Sequence, residues 1–196
     1  IEPTVAITPV GTATTVVVPL LHGPLGEDGT VQGMLELADL PYVGSGVLGS
    51  AVAMDKAMAK TIAAAHGIPQ ARHIAVRADE RSAARAGQPA GHLGGQPAEQ
   101  LAEQLGLPVF VKPANMGSSV GVSKAKTVEE IDRALDLAFT YDEWAVVEEA
   151  VVGREIEVAV LGNLAPRASV PGEIVPGAEF YDYADKYLDA GSQAIV

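Results

Sequence analysis

The stretch Pro108-Val109-Phe110-Val111-Lys112-Pro113-Ala114-Asn115-Met116-Gly117-Ser118-Ser119-Val120-Gly121 decides how this chain is read. Its first half is a compact apolar run that predicts a strand. Its second half is a turn dense in glycine and small hydroxyls. Such residues let backbone N–H groups approach a polyphosphate closely and donate to it. An ordinary hairpin turn has the same composition, and short Gly/Ser turns are common. It is not a P-loop, because the Gly-Lys-Ser/Thr ending that leads into a helix is missing. Lys112 at the strand end is costly to bury unless its ammonium meets an anion or water. Alone, it reads as a lysine that snorkels to the surface. Lys56, on the Met54-Asp55-Lys56 turn of an upstream helix, is open to the same two readings. Two lysines flanking one glycine turn shift the balance towards a clamp on a nucleotide polyphosphate.

Working outward, Thr127-Val128-Glu129-Glu130 predicts a capping box, followed by a helix whose apolar stripe is Ile131, Ala134, Leu135 and Ala138. Trp144–Glu149 and Glu155–Leu161 predict two further strands. On the N-terminal side, Pro97–Leu105 predicts a short helix and His73–Arg77 a strand. Residues 78–96 show little pattern, and most of them are expected to be mobile surface. Val47–Ala65 predicts one long helix, stopped by Gly67 and Pro69. Before it, Thr14–Leu21 is expected to be a buried strand, Thr30–Asp39 a helix and Pro41–Val43 a short strand. Strand, helix, strand in that order is α/β grammar. The Gly-, Asp- and Tyr-rich remainder from Pro171 to Ser192 predicts a long functional loop, of the kind that covers active sites.

With 48% hydrophobic residues in 196, one or two domains with a real core are possible. The net charge of −12 argues against gripping nucleic acid or an anionic membrane through a general field. Small phosphate-bearing ligands stay possible through local cations and amides. The absence of cysteine removes disulfides, thiolate metal sites and a thiol nucleophile. No apolar run is long enough to span a membrane and no basic segment leads into an apolar one, so a cytoplasmic protein is expected.

Two more constellations stand out. Glu148 and Glu149 end a strand with Glu155 shortly after; carboxylates there can hold an adenine amino group or ribose hydroxyls, or simply form a solvated rim. His22-Gly23 before Glu27-Asp28-Gly29 sits in a loop beyond a strand's C-terminal end, where open α/β sheets bind ligands. A capping role for Asp28 or Thr30 explains that loop equally well. His66, His73 and His92 are assigned nothing.

Taken in order, these pieces resemble the D-alanine–D-alanine ligases of the ATP-grasp superfamily, from about residue 14 to the end. His22-Gly23, Gly26-Glu27-Asp28-Gly29 and Gln32-Gly33 are similar to the segment closing that family's N-terminal domain. Met54-Asp55-Lys56, Val111-Lys112-Pro113 and Gly117-Ser118-Ser119-Val120-Gly121 are similar to its central ATP-grasp subdomain. Phe180–Tyr187 is similar to its flexible loop. The implied fold class is α/β: the tail of an N-terminal doubly wound α/β domain over 1–47, an ATP-grasp central subdomain over 48–170, and the loop with the start of a C-terminal subdomain over 171–196. The family's Glu-x-Asn metal pattern has no match here. The expectation is therefore that the C-terminal half, with the Mg²⁺ ligands, lies outside this sequence, and that the 196 residues alone are inactive.

The resemblance also implies roles. Lys56 and Lys112 would contact ATP phosphates, with Gly117, Ser118, Ser119, Val120 and Gly121 folding over them. Glu148 would meet the adenine amino group beside the backbone of Glu149 and Val151, and Glu155 would hold the ribose. Tyr181 would lie by the nucleotide, and Lys186 would reach the transferred phosphate. Ser118, Tyr187, His22 and Glu27 would face the substrates, with His22 assisting the second amine. The implied reaction joins two molecules of D-alanine through an acylphosphate, for peptidoglycan precursors, in a homodimer. Relatives that use D-lactate tend to carry histidine at the position of Tyr187, so tyrosine favours the dipeptide. A D-alanine–D-lactate or other ATP-grasp carboxylate ligase is the nearest alternative, and a non-catalytic nucleotide-binding module the alternative of another class.

Overall fold

The computed structural model describes residues 15–85, 96–175 and 193–195. The expected loop with Tyr181, Lys186 and Tyr187, and His92, lie outside the described residues. The described helices and strands, in chain order, are α1 (Thr30–Leu37), α2 (Val47–Met54), α3 (Lys56–Ala65), β1 (His73–Arg77), α4 (Ala78–Arg85), α5 (Ala98–Leu105), β2 (Val109–Pro113), β3 (Ser123–Ala125), α6 (Val128–Ala138), β4 (Trp144–Glu149), β5 (Glu155–Glu157), β6 (Val160–Leu161), β7 (Arg167–Ala168), β8 (Gly172–Val175) and β9 (Gln193–Ile195).

The central layer is a four-stranded sheet in the order β1-β4-β2-β3, antiparallel throughout. Its alternation separates two faces. Val109, Val111, Ala145, Val147 and Val76 point into the core with the buried stripes of α5 and α6. Phe110, Lys112, Val146 and Glu148 take the alternate positions and face α3. Strand β2 is apolar on its core side and mixed, with Phe110 and Lys112, on the other, because its two faces meet different neighbours.

α6 forms where the sequence predicts it. Thr127 accepts from the Glu130 amide at 3.3 Å. Glu130 reaches back one residue further than a capping box requires, accepting from Lys126 N at 2.6 Å. Ile131, Ala134, Leu135 and Ala138 are all buried.

Five expectations are corrected. The helix from Val47 to Ala65 is two helices, α2 and α3, divided at Asp55, whose backbone is extended at φ −77° and ψ 105°. Asp55 caps α3 by accepting from Met58 N at 2.9 Å, and an aspartate N-cap favours such a restart. The described part of the expected buried strand Thr14–Leu21, residues 15–21, is not a buried strand: Val17 forms one parallel bridge with Tyr42, and Val16, Val18 and Leu20 are exposed. An apolar run buries its side chains only against paired neighbours, and this one finds a single bridge. Pro41–Val43 shrinks to that same bridge. Glu155–Leu161 is two strands, because β5 pairs with β8 while β6 pairs with β7. The segment expected to be mobile after Arg77 begins with α4. Asp79 and Glu80 suit its N-terminal dipole, and the buried Arg81 is held by Asp132 and Asp136 of α6. That partner is more than 50 residues away, so no local pattern announces it.

Leu135 is fully buried beneath β2 and β4. Leu135→Ala is expected to destabilise the fold by about 2–5 kcal/mol, read as a lowered urea midpoint with an unchanged slope.

Candidate functional site

Between the α3-facing side of the sheet and the loop 22–29 lies a cleft of about 890 Å³. Of the residues that the sequence singles out, Glu27, Lys56, Lys112, Gly117, Ser118, Ser119, Glu148, Glu149, Val151 and Glu155 line it. His22, Val120 and Gly121 do not; His22 is exposed at the rim of the loop.

The floor is electrostatic. β2 and β4 pair Phe110 with Glu148, which sets Lys112 on the same face two residues along. Lys112 Nζ reaches Glu148 Oε2 at 2.6 Å, and Lys60 Nζ of α3 reaches Oε1 at 3.1 Å. Burial alone would raise the Glu148 pKa. The charge and hydrogen bond of Lys112, followed by those of Lys60, overcome burial and hold the carboxyl below the usual carboxylate range. Glu148 is therefore no solvated rim residue: it is 7% exposed. Lys112 also lies 5.6 Å above the Phe110 ring.

Lys56 opens α3 and is turned into the root of the glycine turn. Its Nζ donates to the carbonyl oxygens of Pro113 at 3.1 Å, Ala114 at 3.3 Å and Met116 at 2.6 Å. Its own amide donates to Ala114 O at 3.0 Å. Three carbonyls match the three donors of an ammonium. Burial, then repulsion from Lys112, lowers the Lys56 pKa against the pull of Glu148, Asp142 and Asp55.

The glycine turn connects β2 to β3, so it is a hairpin turn as well as a candidate phosphate cradle. Ser118 and Ser119 both adopt left-handed backbone, at φ 52° and 59°. Such non-glycine conformations concentrate at functional sites and tight turns. Gly117 is favoured by crowding: a Cβ there would stand 3.1 Å from Gly23 Cα and 3.2 Å from Glu27 Oε2. The turn is thus seated against the loop 22–29. In that loop Glu27 accepts from Gly23 N. Asp28 accepts from Leu25 N at 2.8 Å and Thr30 N at 2.9 Å, while the N-cap position of α1 itself is Gly29, so neither Asp28 nor Thr30 is the cap.

Glu149 turns away from Glu148. It binds Arg72 Nε at 2.6 Å, while the Arg72 guanidinium also holds the Gln104 and Leu105 carbonyls at the end of α5. Its side chain is held by Arg72, and its amide donates to the Arg72 carbonyl at 3.0 Å. Sequence reasoning missed Lys60 and Arg72, and gave Gln32 only as part of a motif, with no role. Lys60 was findable, since it lies four residues after Lys56 and so on the same helical face. Gln32 is buried, lines the cleft and donates to Gly26 O at 3.1 Å, six residues before it.

Comparison with known proteins places this geometry among relatives. The family model described as D-ala D-ala ligase C-terminus matches residues 62–196, and the one described as D-ala D-ala ligase N-terminus matches residues 5–45. A D-alanine–D-alanine ligase of Bacillus pumilus is 53% identical over 92% of this chain and 48% of its own length. The chain therefore spans about half the length of the curated relatives it matches. Among solved structures, a D-alanine-D-alanine ligase from Coxiella burnetii superposes with a TM-score of 0.69 at 41% identity, over 81% of this chain and 44% of that one. The VanG D-Ala:D-Ser ligase from Enterococcus faecalis does so with a TM-score of 0.75 at 35% identity, over 92% and 49%.

Glu148 binds fewer protons folded than unfolded, because its folded pKa is depressed. Its stabilisation is complete above the ordinary glutamate pKa of 4.5 and is lost as pH falls through the lower folded value. Glu148→Gln leaves two lysines facing a neutral amide, and is expected to cost about 3 kcal/mol at pH 7. Urea titrations at stepped pH should show a shallower acid loss of stability in the variant than in the wild type.

Proposed function

The chain belongs to the D-alanine–D-alanine ligase family, and from that premise we propose that the whole protein joins two D-alanines at the expense of ATP. The observation that carries the reading is the cleft, where Lys56, Lys112 and Glu148 converge beneath the Gly117–Gly121 turn. The two family-model matches support a division near residue 47, with an N-terminal substrate domain before it; that the central ATP-grasp subdomain ends at about 170 rests on the resemblance alone.

The cleft suits a nucleoside triphosphate. Lys56 and Lys112 supply cations and the Gly117–Gly121 turn supplies amides where the phosphates would lie. Both lysines hold protein partners in the structure, so arriving phosphates exchange those contacts for their own. Glu148 accepts from the adenine amino group, the backbone of Glu149 and Val151 borders the base, and Glu155 binds the ribose. His22, Glu27 and Ser118 face the amino acids across the seam where Gly117 meets Gly23. Tyr181, Lys186 and Tyr187 keep the roles the family implies.

A carboxylate oxygen of the first D-alanine takes the γ-phosphoryl group and ADP leaves. The amine of the second D-alanine attacks the resulting acylphosphate carbon; phosphate departs and the amine loses a proton. Cations suit the first step, since charge on the moving phosphoryl group must be stabilised in place. Excluding water protects the acylphosphate from hydrolysis. Mg²⁺ would share the phosphate charge when bound; among the described residues no cluster of three or more His, Cys, Asp or Glu side chains could hold a metal, and no described residue is assigned to it.

The test is D-alanine-dependent phosphate release by the whole protein, with dipeptide measured in parallel and D-serine or D-lactate offered as competing second substrates. Equal yields of phosphate and D-alanyl-D-alanine are expected. ATP binding without D-alanine-dependent turnover would instead mark a nucleotide-binding module, and a preferred mixed product would move the second substrate. Lys112→Met is expected to lower kcat/KM for ATP by about 100-fold.

A further inference from the structure

Glu148 has two cationic partners of different kinds. Lys112 lines the cleft along with Glu148 itself, whereas Lys60 is not among the lining residues and stands behind the carboxylate on α3. Lys60 is also fixed along its own chain, its carbonyl accepting from Gln70 Nε2 at 2.8 Å. A triphosphate entering the cleft meets Lys112 and is screened from Lys60 by Glu148. When Lys112 turns to the phosphates, Glu148 loses the partner of Oε2 and keeps that of Oε1.

Without any cation, a carboxylate this buried would be costly as an anion and would tend to take up a proton. A protonated carboxyl presents a donor as well as acceptors, while an ionised one only accepts. The difference matters for a purine. Adenine presents a 6-amino donor where guanine presents a 6-oxo acceptor. An ionised, fixed Glu148 therefore favours adenine and repels guanine.

We propose that Lys60 is a positioning residue for base recognition: it holds Glu148 ionised and oriented once Lys112 has moved to the phosphates, so that the freed Oε2 accepts from the adenine amino group. This rests on the assignment of Glu148 to the base in the reading above. The contact between Lys112 and Glu148 is then a clamp that nucleotide opens, and Lys60 is the part of the triad that keeps its hold.

The experiment measures binding of non-hydrolysable ATP and GTP analogues to the whole protein by calorimetry, alongside kcat at saturating ATP. Lys60→Met is expected to weaken the ATP analogue by about ten-fold and leave the GTP analogue unchanged or tighter. Its kcat should stay near that of the wild type, and Lys60→Arg should restore the preference. On a Glu148→Gln background the Lys60→Met change should add nothing. Unaltered affinities in folded Lys60→Met would overturn the proposal, as would equal weakening of both analogues, which marks a merely structural lysine. Should Lys60→Met fail to fold, Lys60→Gln takes its place under the same criteria. A wild-type protein that binds neither analogue would sink the nucleotide reading itself. One that binds both without preference leaves that reading intact and removes this one.

Discussion

A buried carboxylate shared between a helix and a strand organises this structure. Glu148 lies on β4, in the centre of the four-stranded sheet, and is bound on one side by Lys60 of α3 and on the other by Lys112 of β2. Ion pairs at a surface are worth little because water competes. Here burial raises the stakes, since either partner left alone would be an uncompensated charge. The sheet can therefore present a polar floor to the cleft while its opposite face packs Val109, Val111, Ala145 and Val147 against α5 and α6. One layer of strands serves a dry core and a wet site because the side-chain period of a strand is two.

The second constraint is proximity. A Cβ at Gly117 would stand 3.1 Å from Gly23 Cα, closer than a side chain is ordinarily packed, whereas Gly23 is suited to its left-handed backbone at φ 74°. The glycine turn is anchored from below as well. Lys56 gathers the carbonyls of Pro113, Ala114 and Met116, and Asn115 donates to Asp55 and Asp142. A turn held on both sides keeps Ser118 and Ser119 in left-handed backbone that they would otherwise seldom adopt. The break between α2 and α3 belongs to the same arrangement: with Asp55 as a cap, Lys56 starts a new helix and turns inward rather than continuing along a surface.

Much of the fold was legible because its signals are local. The stripe of α6, the apolar run of β4 and the Gly67 stop each depend on residues within a few positions of one another. The failures share a cause. α4 is pinned by Arg81 to Asp132 and Asp136, β5 and β6 part because β8 and β7 are different partners, and residues 15–21 find, among the described residues, only the bridge from Val17 to Tyr42. In each case the deciding contact lies beyond the reach of pattern. At the site, Lys56, Lys112 and the glycine turn stood out as chemistry, but whether the lysines snorkelled or paired could not be read from them singly.

The sequence by itself determined the ordered set of motifs, the acidic surface and the helix and strand periods, since these are properties of residue type and spacing. The ordered motifs were enough to point to the D-alanine–D-alanine ligase family. Only the tertiary structure decided that Glu148 is a buried hub, that Lys60 supports it from behind, and that Glu149 turns away to Arg72. Those outcomes depend on which strands pair and which helix crosses them. A carboxylate's character is set by the charges and water around it, and folding alone brings those charges from positions 60 and 112 to position 148.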